Sequence, residues 1–386
     1  MKDRTRERLI DVAFILAILV LAMLARIQLL PLESGDYQFC LSSWMRRMQI
    51  LGPWRSLGVR ISNYSSPYMY LMCLVSGIGN TMYALKGLSI FFDYTAAVVM
   101  FFLVKQLTGN NRKGIAAMAA TLLCPTVIIN SAWWCQCDII YITFLLLALL
   151  LLFKGKSALC CVMIGIAFSF KVQAVFILPF IVILWLKKET IKLPHLLFIP
   201  AVFFVMMIPA WIAGRPLLSL LEVYFTQTGE YPFGTLHYPN MYEFFHENNL
   251  HWHHMKEVGN FGLFFSFGVL GLLAYWIHAK RFRMTPGIMV TLALFSICLT
   301  LFTLPHMHER YGLIADVLAI VYALMRPEKT ALALCYIVIS LVSYIPFLNG
   351  VDFIPGLYLS FAMLGLNILL GKDLARQIND SSADVF

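Results

Sequence analysis

Several separated stretches of the sequence carry side chains that can bind anions and move protons. Two are carboxylates, and the others are cations or imidazoles: Asp36, Asp138, Lys171, His306, His308 and Arg310. Polar and aromatic residues stand close to them in the sequence: Tyr37, Tyr64, Gln136, Gln173, Glu309 and Tyr311. Arginine and lysine pair with phosphate oxygens, and a nearby carboxylate can act as general base toward a hydroxyl group. This combination predicts a site that handles an anionic, phosphate-bearing substrate.

Each of these residues also has a purely structural interpretation. Asp36 fits a solvated loop residue, Asp138 fits a cap of the helix that follows it, and Lys171 fits a side chain that reaches lipid headgroups. The run 306–311 is harder to explain in this way, because anchoring a helix end does not need so many polar groups. Charged groups at helix ends within a membrane bundle are costly and usually functional. Their expected convergence on one face of the protein favours a site.

The elements that must position these residues are membrane helices. The chain of 386 residues is 60% hydrophobic and 13% charged, with a mean hydropathy of +0.79. Its apolar residues form blocks of roughly 16–24 residues, long enough to cross a hydrocarbon core of about 30 Å. The formal net charge of +9 would favour nucleic acid in a soluble protein, but in a membrane protein it marks cytoplasmic loops. We expect an all-α polytopic bundle in a lipid bilayer, with no nucleic-acid partner.

The sequence predicts about twelve transmembrane helices in a single domain, residues 1–386. The expected spans are 9–31, 85–106, 114–132, 139–153, 157–171, 173–187, 195–213, 260–278, 286–304, 311–326, 330–347 and 354–371. Two long outer loops cover about 32–84 and 214–259. The apolar run at 67–79 is short and fits a re-entrant or interfacial helix. If it does not cross, 19 of the 29 Lys and Arg residues lie at inner ends. That bias predicts cytoplasmic termini and an outward-facing site.

Four short motifs follow one another along the chain. They are Gly35-Asp36-Tyr37, Asn63-Tyr64-Ser-Ser-Pro67-Tyr68, Asn130-Ser-Ala-Trp-Trp-Cys-Gln136-Cys-Asp138 and Pro305-His-Met-His308-Glu309-Arg310-Tyr311. At these residues the chain resembles the GT-C class of integral membrane glycosyltransferases, most closely the bacterial mannosyltransferase-type members that use polyprenyl-phosphate sugars. Phe170-Lys171-Val-Gln173 is similar to the Lys-x-Gln helix junction of that class. The resemblance runs from about residue 9 to 320, and the last two spans add little to it.

The resemblance implies a role for each candidate residue. Asp36, in the first outer loop, would be the general base, and Asp138 would position the acceptor or support the site. Lys171 and the group of His306, His308 and Arg310 would face the donor phosphate. The donor would be a polyprenyl-phosphate hexose, and the acceptor an envelope glycan or glycolipid. Transfer would be inverting, with no metal or other cofactor, at the bacterial plasma membrane.

Some features depart from the class or admit another chemistry. Members often carry glycine before the glutamine of the third motif, whereas Cys135 stands here. Cys135 with Cys137, and the histidines of 246–254, contain possible metal ligands, but their spacing fits no standard zinc site. Cys135 and Cys137 could also form a strained disulfide, and as metal ligands they lack convincing partners. An aromatic, histidine-rich outer loop that rests on the membrane interface is the more common explanation of 246–254. The chain also lacks a soluble outer domain that would hold a large acceptor.

Two other kinds of function stay open on the sequence. A transporter or lipid flippase should bury charges near the bilayer midplane, and Asp93 and Asp316 are the clearest such charges here. A polysaccharide polymerase or ligase would use an Arg-rich outer loop and a lipid-diphosphate donor. The first outer loop keeps this alternative open with Arg46, Arg47, Arg55 and Arg60. The concentration of charge at the predicted outer ends favours the glycosyltransferase.

Overall fold

The structure is a computed structural model that describes residues 2–226, 233–248 and 255–383. The α-helices are α1 Lys2–Leu29, α2 Ser42–Leu51, α3 Pro53–Leu57, α4 Ser66–Val75, α5 Thr81–Thr108, α6 Asn111–Leu123, α7 Pro125–Ile128, α8 Asp138–Phe153, α9 Ser157–Phe170, α10 Leu178–Leu186, α11 Leu193–Leu196, α12 Phe198–Ile212, α13 Leu217–Thr226, α14 Met255–Ala279, α15 Pro286–Thr303, α16 Leu313–Met325, α17 Thr330–Asn349 and α18 Gly356–Ala383. Short π-helical segments lie at Tyr37–Leu41 and Ile129–Trp133, and 3-10 turns at Val172–Ile177, Met241–Asn248, Glu309–Gly312 and Pro327–Lys329. The strands β1 Thr235–Leu236 and β2 Met307–His308 pair in parallel.

Local sequence signals determine where several helices begin and end. Asn80 and Asn110 cap α5 and α6, because each side-chain oxygen accepts hydrogen bonds from two backbone N–H groups of the first turn. Proline stands in the first turn of α4, α10 and α15, where its missing N–H costs no hydrogen bond. Gly109 ends α5 and Gly350 ends α17, each in the left-handed conformation that favours glycine. Polar signals of this kind separate the apolar helices.

Not every predicted span corresponds to a helix of membrane-spanning length. Among the described residues, seven helices are long and apolar enough to cross a membrane, or eight if 111–133, bent by 49° at Pro125, is one span. The other predicted spans correspond to helical segments of 13 to 16 residues: α8, α9, Val172–Leu186 and α16. Twelve spans are therefore not confirmed. Two of the shorter helices have one end at a candidate residue: α8 begins at Asp138, and α9 ends just before Lys171.

α4 corresponds to the apolar run whose crossing was in question. It has 10 residues, which is about 15 Å of helix against roughly 30 Å of hydrocarbon core. Tyr68, Met69 and Met72 are buried, and the helix packs against α3, α5, α9 and α12. This length agrees with the prediction that the segment does not cross.

α2 and α3 lie on the surface of the bundle. Met45 and Met48 lie on the buried face of α2, whereas Arg46 and Arg47 are exposed on the other face. Trp54 of α3 is also exposed. A helix that combines a buried apolar face with exposed basic and aromatic residues suits a membrane interface.

The two ends of the bundle differ in character. At one end Arg112 lies 3.5 Å from Glu7, and Lys187 Nζ donates a hydrogen bond to the backbone oxygen of Lys280 at 2.8 Å. These contacts join, in two pairs, four of the segments that the sequence places on the cytoplasmic side. The candidate residues lie at the opposite end, which we call the site end. Which end faces the cytoplasm stays a prediction.

A buried ion pair ties α1 to α5. Arg26 Nε donates to Asp93 Oδ2 at 2.8 Å, and both side chains are fully buried. Arg26 Nη1 also donates to the backbone oxygens of Ala22 and Leu122, each at 3.0 Å. Ser131 Oγ donates to the same Asp93 oxygen at 2.6 Å. The mid-span carboxylate Asp93 therefore has structural partners, which a buried charge requires.

Lys86 of α5 holds the end of α1. The side chain is fully buried, and its Nζ donates to the backbone oxygens of Leu29, Leu30 and Leu32 at 3.4, 2.8 and 2.5 Å. The last carbonyls of a helix have no partner inside the helix, and a cation suits this end of the helix dipole. Lys86 therefore fixes the chain just before Asp36.

Candidate active site

Asp36 lies where the chain leaves α1, directly before the π-helical segment 37–41. Its Oδ2 accepts a hydrogen bond from Trp134 Nε1 at 2.9 Å and another from Gln136 Nε2. Arg310 Nη1 approaches the same oxygen at 3.5 Å. The side chain is 25% exposed. The carboxylate is therefore held through Oδ2 and still reachable from solvent.

A strained turn carries Trp134 and Gln136. Cys135 between them has a φ of +64°, a left-handed conformation that residues other than glycine rarely adopt. Neighbouring hydroxyls hold the backbone, since Ser34 Oγ donates to the oxygen of Trp134 at 2.6 Å and Ser89 Oγ to that of Gln136 at 2.7 Å. Glycine, which the GT-C motif often has before its glutamine, would adopt this conformation without strain.

Asp138 and Lys171 form a buried ion pair. Lys171 Nζ lies 2.5 Å from Asp138 Oδ1, and Asn130 Nδ2 donates to Asp138 Oδ2 at 3.1 Å. Asp138 is fully buried, and Lys171 is 7% exposed. Lys171 Nζ also lies 5.8 Å from the ring centres of Tyr64 and Tyr311. The Asp138 carboxylate thus faces protein, which favours a supporting role over direct contact with an acceptor.

Arg310 connects the two carboxylates. Its Nη1 lies 3.5 Å from both Asp36 and Glu309, and its Nε lies 3.9 Å from Asp138 Oδ2. Its guanidinium carbon is 5.4 Å from the ring centre of Trp134. Hydrogen bonds between charged groups are about 2.7–2.9 Å long, so these ion pairs leave N–H groups of Arg310 available. Within the described part of the chain, its Nε has no hydrogen-bond partner.

Burial shifts the pKa values of the residues beside Arg310. Burial raises the pKa of Glu309 to about 7, although the adjacent Arg310 acts in the opposite direction. Burial also lowers the pKa of His308, and the nearby charges of Arg310 and Lys171 lower it further. Near neutral pH His308 is therefore an uncharged imidazole, while Glu309 changes its charge.

His306 and Tyr37 contact neighbouring elements. His306 Nδ1 lies 2.6 Å from the backbone oxygen of Phe233, and its Nε2 lies close to Gly259 of α14, 3.0 Å from where a Cβ would stand. The Tyr37 hydroxyl shares a hydrogen bond with Thr81 Oγ1 at 3.0 Å. These contacts tie the loops of the site to the segment before β1, to α14 and to α5.

Tyr64, Gln173 and Tyr311 surround the ion pairs. The Tyr64 hydroxyl donates to Gln136 Oε1 at 2.9 Å, which orients the amide. Tyr311 packs edge-on against His308, with 5.1 Å between ring centres, and its hydroxyl contacts the side chain of Gln173. Through these contacts the supporting residues join the carboxylates and cations in one connected cluster.

Trp134, Tyr344 and Phe347 belong to the site, although the sequence did not single them out as site residues. Trp134 is fully buried; it stacks on Phe347 with 4.7 Å between ring centres and packs edge-on against Tyr344 at 5.2 Å. Phe347 also lies against Gly35, 3.8 Å from where a Cβ would stand. Trp134 lies within the motif 130–138, which was a signal in the sequence that it belongs to the site. The other two come from α17, which the resemblance did not cover.

The clusters of possible metal ligands form no ligand set in the described residues. There, no group of three or more His, Cys, Asp or Glu side chains is placed to hold a metal ion. Cys135 and Cys137 are buried free thiols. Of the histidine-rich run 246–254, residues 249–254 lie outside the described residues.

Comparison with known proteins assigns no family. No protein-family model matches the chain, and no curated protein is similar enough to match it. The motifs and the geometry of the cluster therefore carry the functional argument.

Proposed function

We propose that the protein is an inverting glycosyltransferase of the GT-C type. It transfers a hexose from a polyprenyl-phosphate donor to an envelope glycan or glycolipid at the site end of the bundle. The carrying observation is that a reachable carboxylate, Asp36, lies against Arg310, which also approaches the buried pair of Asp138 and Lys171. Sugar transfer from a phosphate carrier needs a base for the acceptor and positive charge for the departing phosphate.

Asp36 is the proposed base. Its carboxylate takes the proton of an acceptor hydroxyl while the hydroxyl oxygen bonds to the anomeric carbon of the sugar. The bond between that carbon and the phosphate oxygen breaks, and its electron pair leaves with the phosphate. Because attack comes from the face opposite the phosphate, the anomeric configuration inverts. Trp134 and Gln136 hold Oδ2, so we assign the proton to Oδ1.

Arg310 and Lys171 are the proposed phosphate ligands. The ion pairs of Arg310, at 3.5 to 3.9 Å, leave N–H groups for a phosphate, which the planar guanidinium can bind through two oxygens. Asp138 holds Lys171 in place at 2.5 Å. His308, uncharged near neutral pH, would contribute a hydrogen bond rather than a charge.

The same contacts link donor binding to the state of the base. Without a donor, Arg310 neutralises Asp36 at 3.5 Å. A donor phosphate would draw the guanidinium toward its own oxygens and release the carboxylate. Asp36 would then act as a base only when the donor is present.

The transporter alternative has less support. Both mid-span carboxylates are buried inside the protein, Asp93 fully and Asp316 at 1% exposure, and Asp93 is paired with Arg26. Intramembrane charges that form a substrate pathway usually face a water-filled cavity. The bacterial plasma membrane, with the site end outward, is the location we propose for the enzyme.

The test uses purified protein in lipid nanodiscs with a panel of radiolabelled polyprenyl-phosphate hexoses and a crude envelope-lipid acceptor extract. We expect the wild type to transfer or slowly hydrolyse one donor. Asp36→Asn should abolish turnover and keep donor binding, because it removes the base and leaves the cations. Arg310→Ala should weaken donor binding by about 1–3 kcal/mol, the loss of a charge-assisted contact.

Glu33→Gln is the matched control, because Glu33 is an exposed acid of the same segment; it should keep full activity. Turnover that survives in Asp36→Asn would remove Asp36 from the role of base. If folded wild-type protein turns over no donor and instead translocates a lipid or solute in proteoliposomes, the protein is a transporter.

A further inference from the structure

A second concave surface lies beside the cluster at the site end. It is a cavity of about 370 Å³ between β1, the turn 241–248, the end of α17 and the start of α18. This volume lies in the range of about 300–1,000 Å³ that is typical of small-molecule sites. His237 and Asp352 in its lining are exposed, so the cavity is accessible to solvent.

The cavity shares two walls with the proposed active site. On one side, β1 pairs with β2, where Leu236 stands opposite His308, just before Arg310. On the other, α17 contributes Ser343 and Pro346 to the lining. The neighbouring Tyr344 and Phe347 pack on Trp134, which donates to Asp36. A ligand in the cavity would therefore lie next to the supports of the base and of the phosphate ligand.

The cavity differs from the phosphate site because its described lining lacks cations. The polar part of its lining contains two carboxylates, an imidazole and two hydroxyl groups that donate to backbone oxygens: Glu243, Asp352, His237, Thr235 and Ser343. The rest of the lining is apolar and suits the carbon faces of a sugar ring: Phe233, Leu236, Pro346, Ile354, Pro355, Leu357 and Leu359. No lysine or arginine is among its lining residues in the described part of the chain. Carboxylates accept hydrogen bonds from hydroxyl groups, whereas they repel phosphates and other acids. This lining suits a polyhydroxylated molecule without anionic groups.

Glycine keeps one of the carboxylates in position. A Cβ at Gly356, the first residue of α18, would lie 2.6 Å from the Glu243 carboxyl carbon, so a side chain there would displace the carboxylate. Glu243 is 9% exposed, so its carboxylate is packed into the wall. Asp352 and His237, at the rim, are the groups that a ligand can reach from solvent.

We propose that this cavity binds the non-reacting part of the sugar acceptor, and that the acceptor is a neutral, hydroxyl-rich glycan. The assignment rests on the proposed transferase function and names the substrate class on the acceptor side. The two substrates are then sorted by charge. The anionic donor binds at Arg310 and Lys171, and the neutral acceptor binds against Asp352 and His237.

The experiment measures saccharide binding to the full-length protein in nanodiscs by isothermal titration calorimetry. The probes are neutral tetrasaccharides of glucose, mannose and N-acetylglucosamine, with tetragalacturonate as an acidic probe of equal length. We expect at least one neutral tetrasaccharide to bind and the acidic one not to bind. Asp352→Asn combined with His237→Asn should weaken that binding at least about fivefold, because each change removes a charged or imidazole partner.

The variants are chosen so that the fold is preserved. His237 has a φ of +62°, and asparagine tolerates this conformation. Asp380→Asn, a change at an exposed acid far along α18, is the matched control and should bind as the wild type does. The acceptor assignment is overturned if no neutral probe binds, if the double variant binds equally well, or if tetragalacturonate binds as tightly. Donor turnover by the wild type, measured separately, decides the transferase function itself.

Discussion

Asp36 and Arg310 differ from Asp138 and Lys171 in how tightly they are paired. Lys171 and Asp138 are 2.5 Å apart and nearly inaccessible, and removing one partner of such a pair typically costs about 3–5 kcal/mol. Arg310 and Asp36 are 3.5 Å apart, with Asp36 partly exposed. At the residue scale, the close pair therefore fixes the position of Lys171, and the looser pair leaves N–H groups of Arg310 and the Asp36 carboxylate available for substrates.

Cys135 offers a test of the strained turn. We expect Cys135→Gly to change stability little, because glycine relieves the left-handed strain but gives up a small buried side chain. Cys135→Val should destabilise the protein by on the order of 1–3 kcal/mol, since a branched side chain fits this conformation poorly. Thermal unfolding of both variants in detergent measures the difference. Equal stability of the valine and glycine variants would show that the turn is not strained.

Glu309 should make stability depend on pH. Its pKa is raised from 4.5 to about 7 by burial, so the unfolded chain loses this proton more readily than the folded one. The protonated Glu309 contributes fully to the free energy of unfolding below the unfolded pKa. This contribution, on the order of 1–3 kcal/mol, is lost as the pH rises through about 7. Thermal unfolding between about pH 6 and pH 8 measures this loss, which Glu309→Gln should remove.

The histidines of the same segment are expected to change stability with pH in the opposite direction, and they serve as an internal comparison. Burial lowers the pKa values of His306 and His308, so the unfolded chain binds these protons more readily. The protein therefore loses stability as the pH falls below the ordinary pKa of histidine. A wild-type protein whose stability is flat across neutral pH, or a Glu309→Gln variant with the wild-type slope, would contradict the role given to Glu309.

At the scale of elements, the site is built where helices change direction. α1 ends before Asp36, α8 begins at Asp138, α9 ends before Lys171, and the 3-10 turn Glu309–Gly312 leads into α16. Backbone ties such as Lys86 on the end of α1 position these ends. The geometry of the site therefore depends on how each helix is terminated.

Lys86 provides the test at this scale. Lys86→Met leaves the carbonyls at the end of α1 without their donor, at a cost on the order of 1–3 kcal/mol, and should loosen the segment that carries Asp36. We expect faster hydrogen exchange at residues 30–37 and a lower transfer rate. Lys105→Met is the control, because Lys105 is an exposed residue of the same helix. Unchanged exchange in Lys86→Met would mean that α1 is held by other contacts.

Much of this arrangement follows from the sequence, because polar motifs between apolar blocks mark the ends of helices. Asp36, Asp138, Lys171 and Arg310 were found in this way. The roles of Tyr344 and Phe347 were not, because aromatic residues inside an apolar span look the same whether they face lipid or Trp134. The pairing of β1 with β2 involves two residues in each strand, too few for an alternating pattern. The count of twelve spans is not confirmed, because four of the predicted spans correspond to helical segments of only 13 to 16 residues.

At the scale of the whole molecule, charge separates the two ends of the bundle. Basic segments meet at one end, where Arg112 approaches Glu7, and the catalytic candidates meet at the other. Lys and Arg are enriched on the cytoplasmic side of membrane proteins, so the site end is expected to face outward. This orientation is what an enzyme with an extracytoplasmic acceptor requires.

Cys40 allows the orientation to be measured directly. It is exposed in the π-helical segment after Asp36, so a membrane-impermeant maleimide should label it in intact spheroplasts. Cys40→Ser should lose that labelling. In the Cys40→Ser background, Lys154→Cys, at an exposed residue between α8 and α9, should react only after permeabilisation. The reverse pattern would place the site end in the cytoplasm.

The Arg26–Asp93 pair has a consequence for how the protein is made. The partners are 67 positions apart, and ribosomes add about 5–20 residues per second, so Arg26 is synthesised roughly 3–13 s before Asp93. An unpaired arginine inside a span costs up to about 3 kcal/mol on insertion scales. We therefore expect α1 to stay at the translocon until α5 emerges, so that the first two long helices enter the bilayer together.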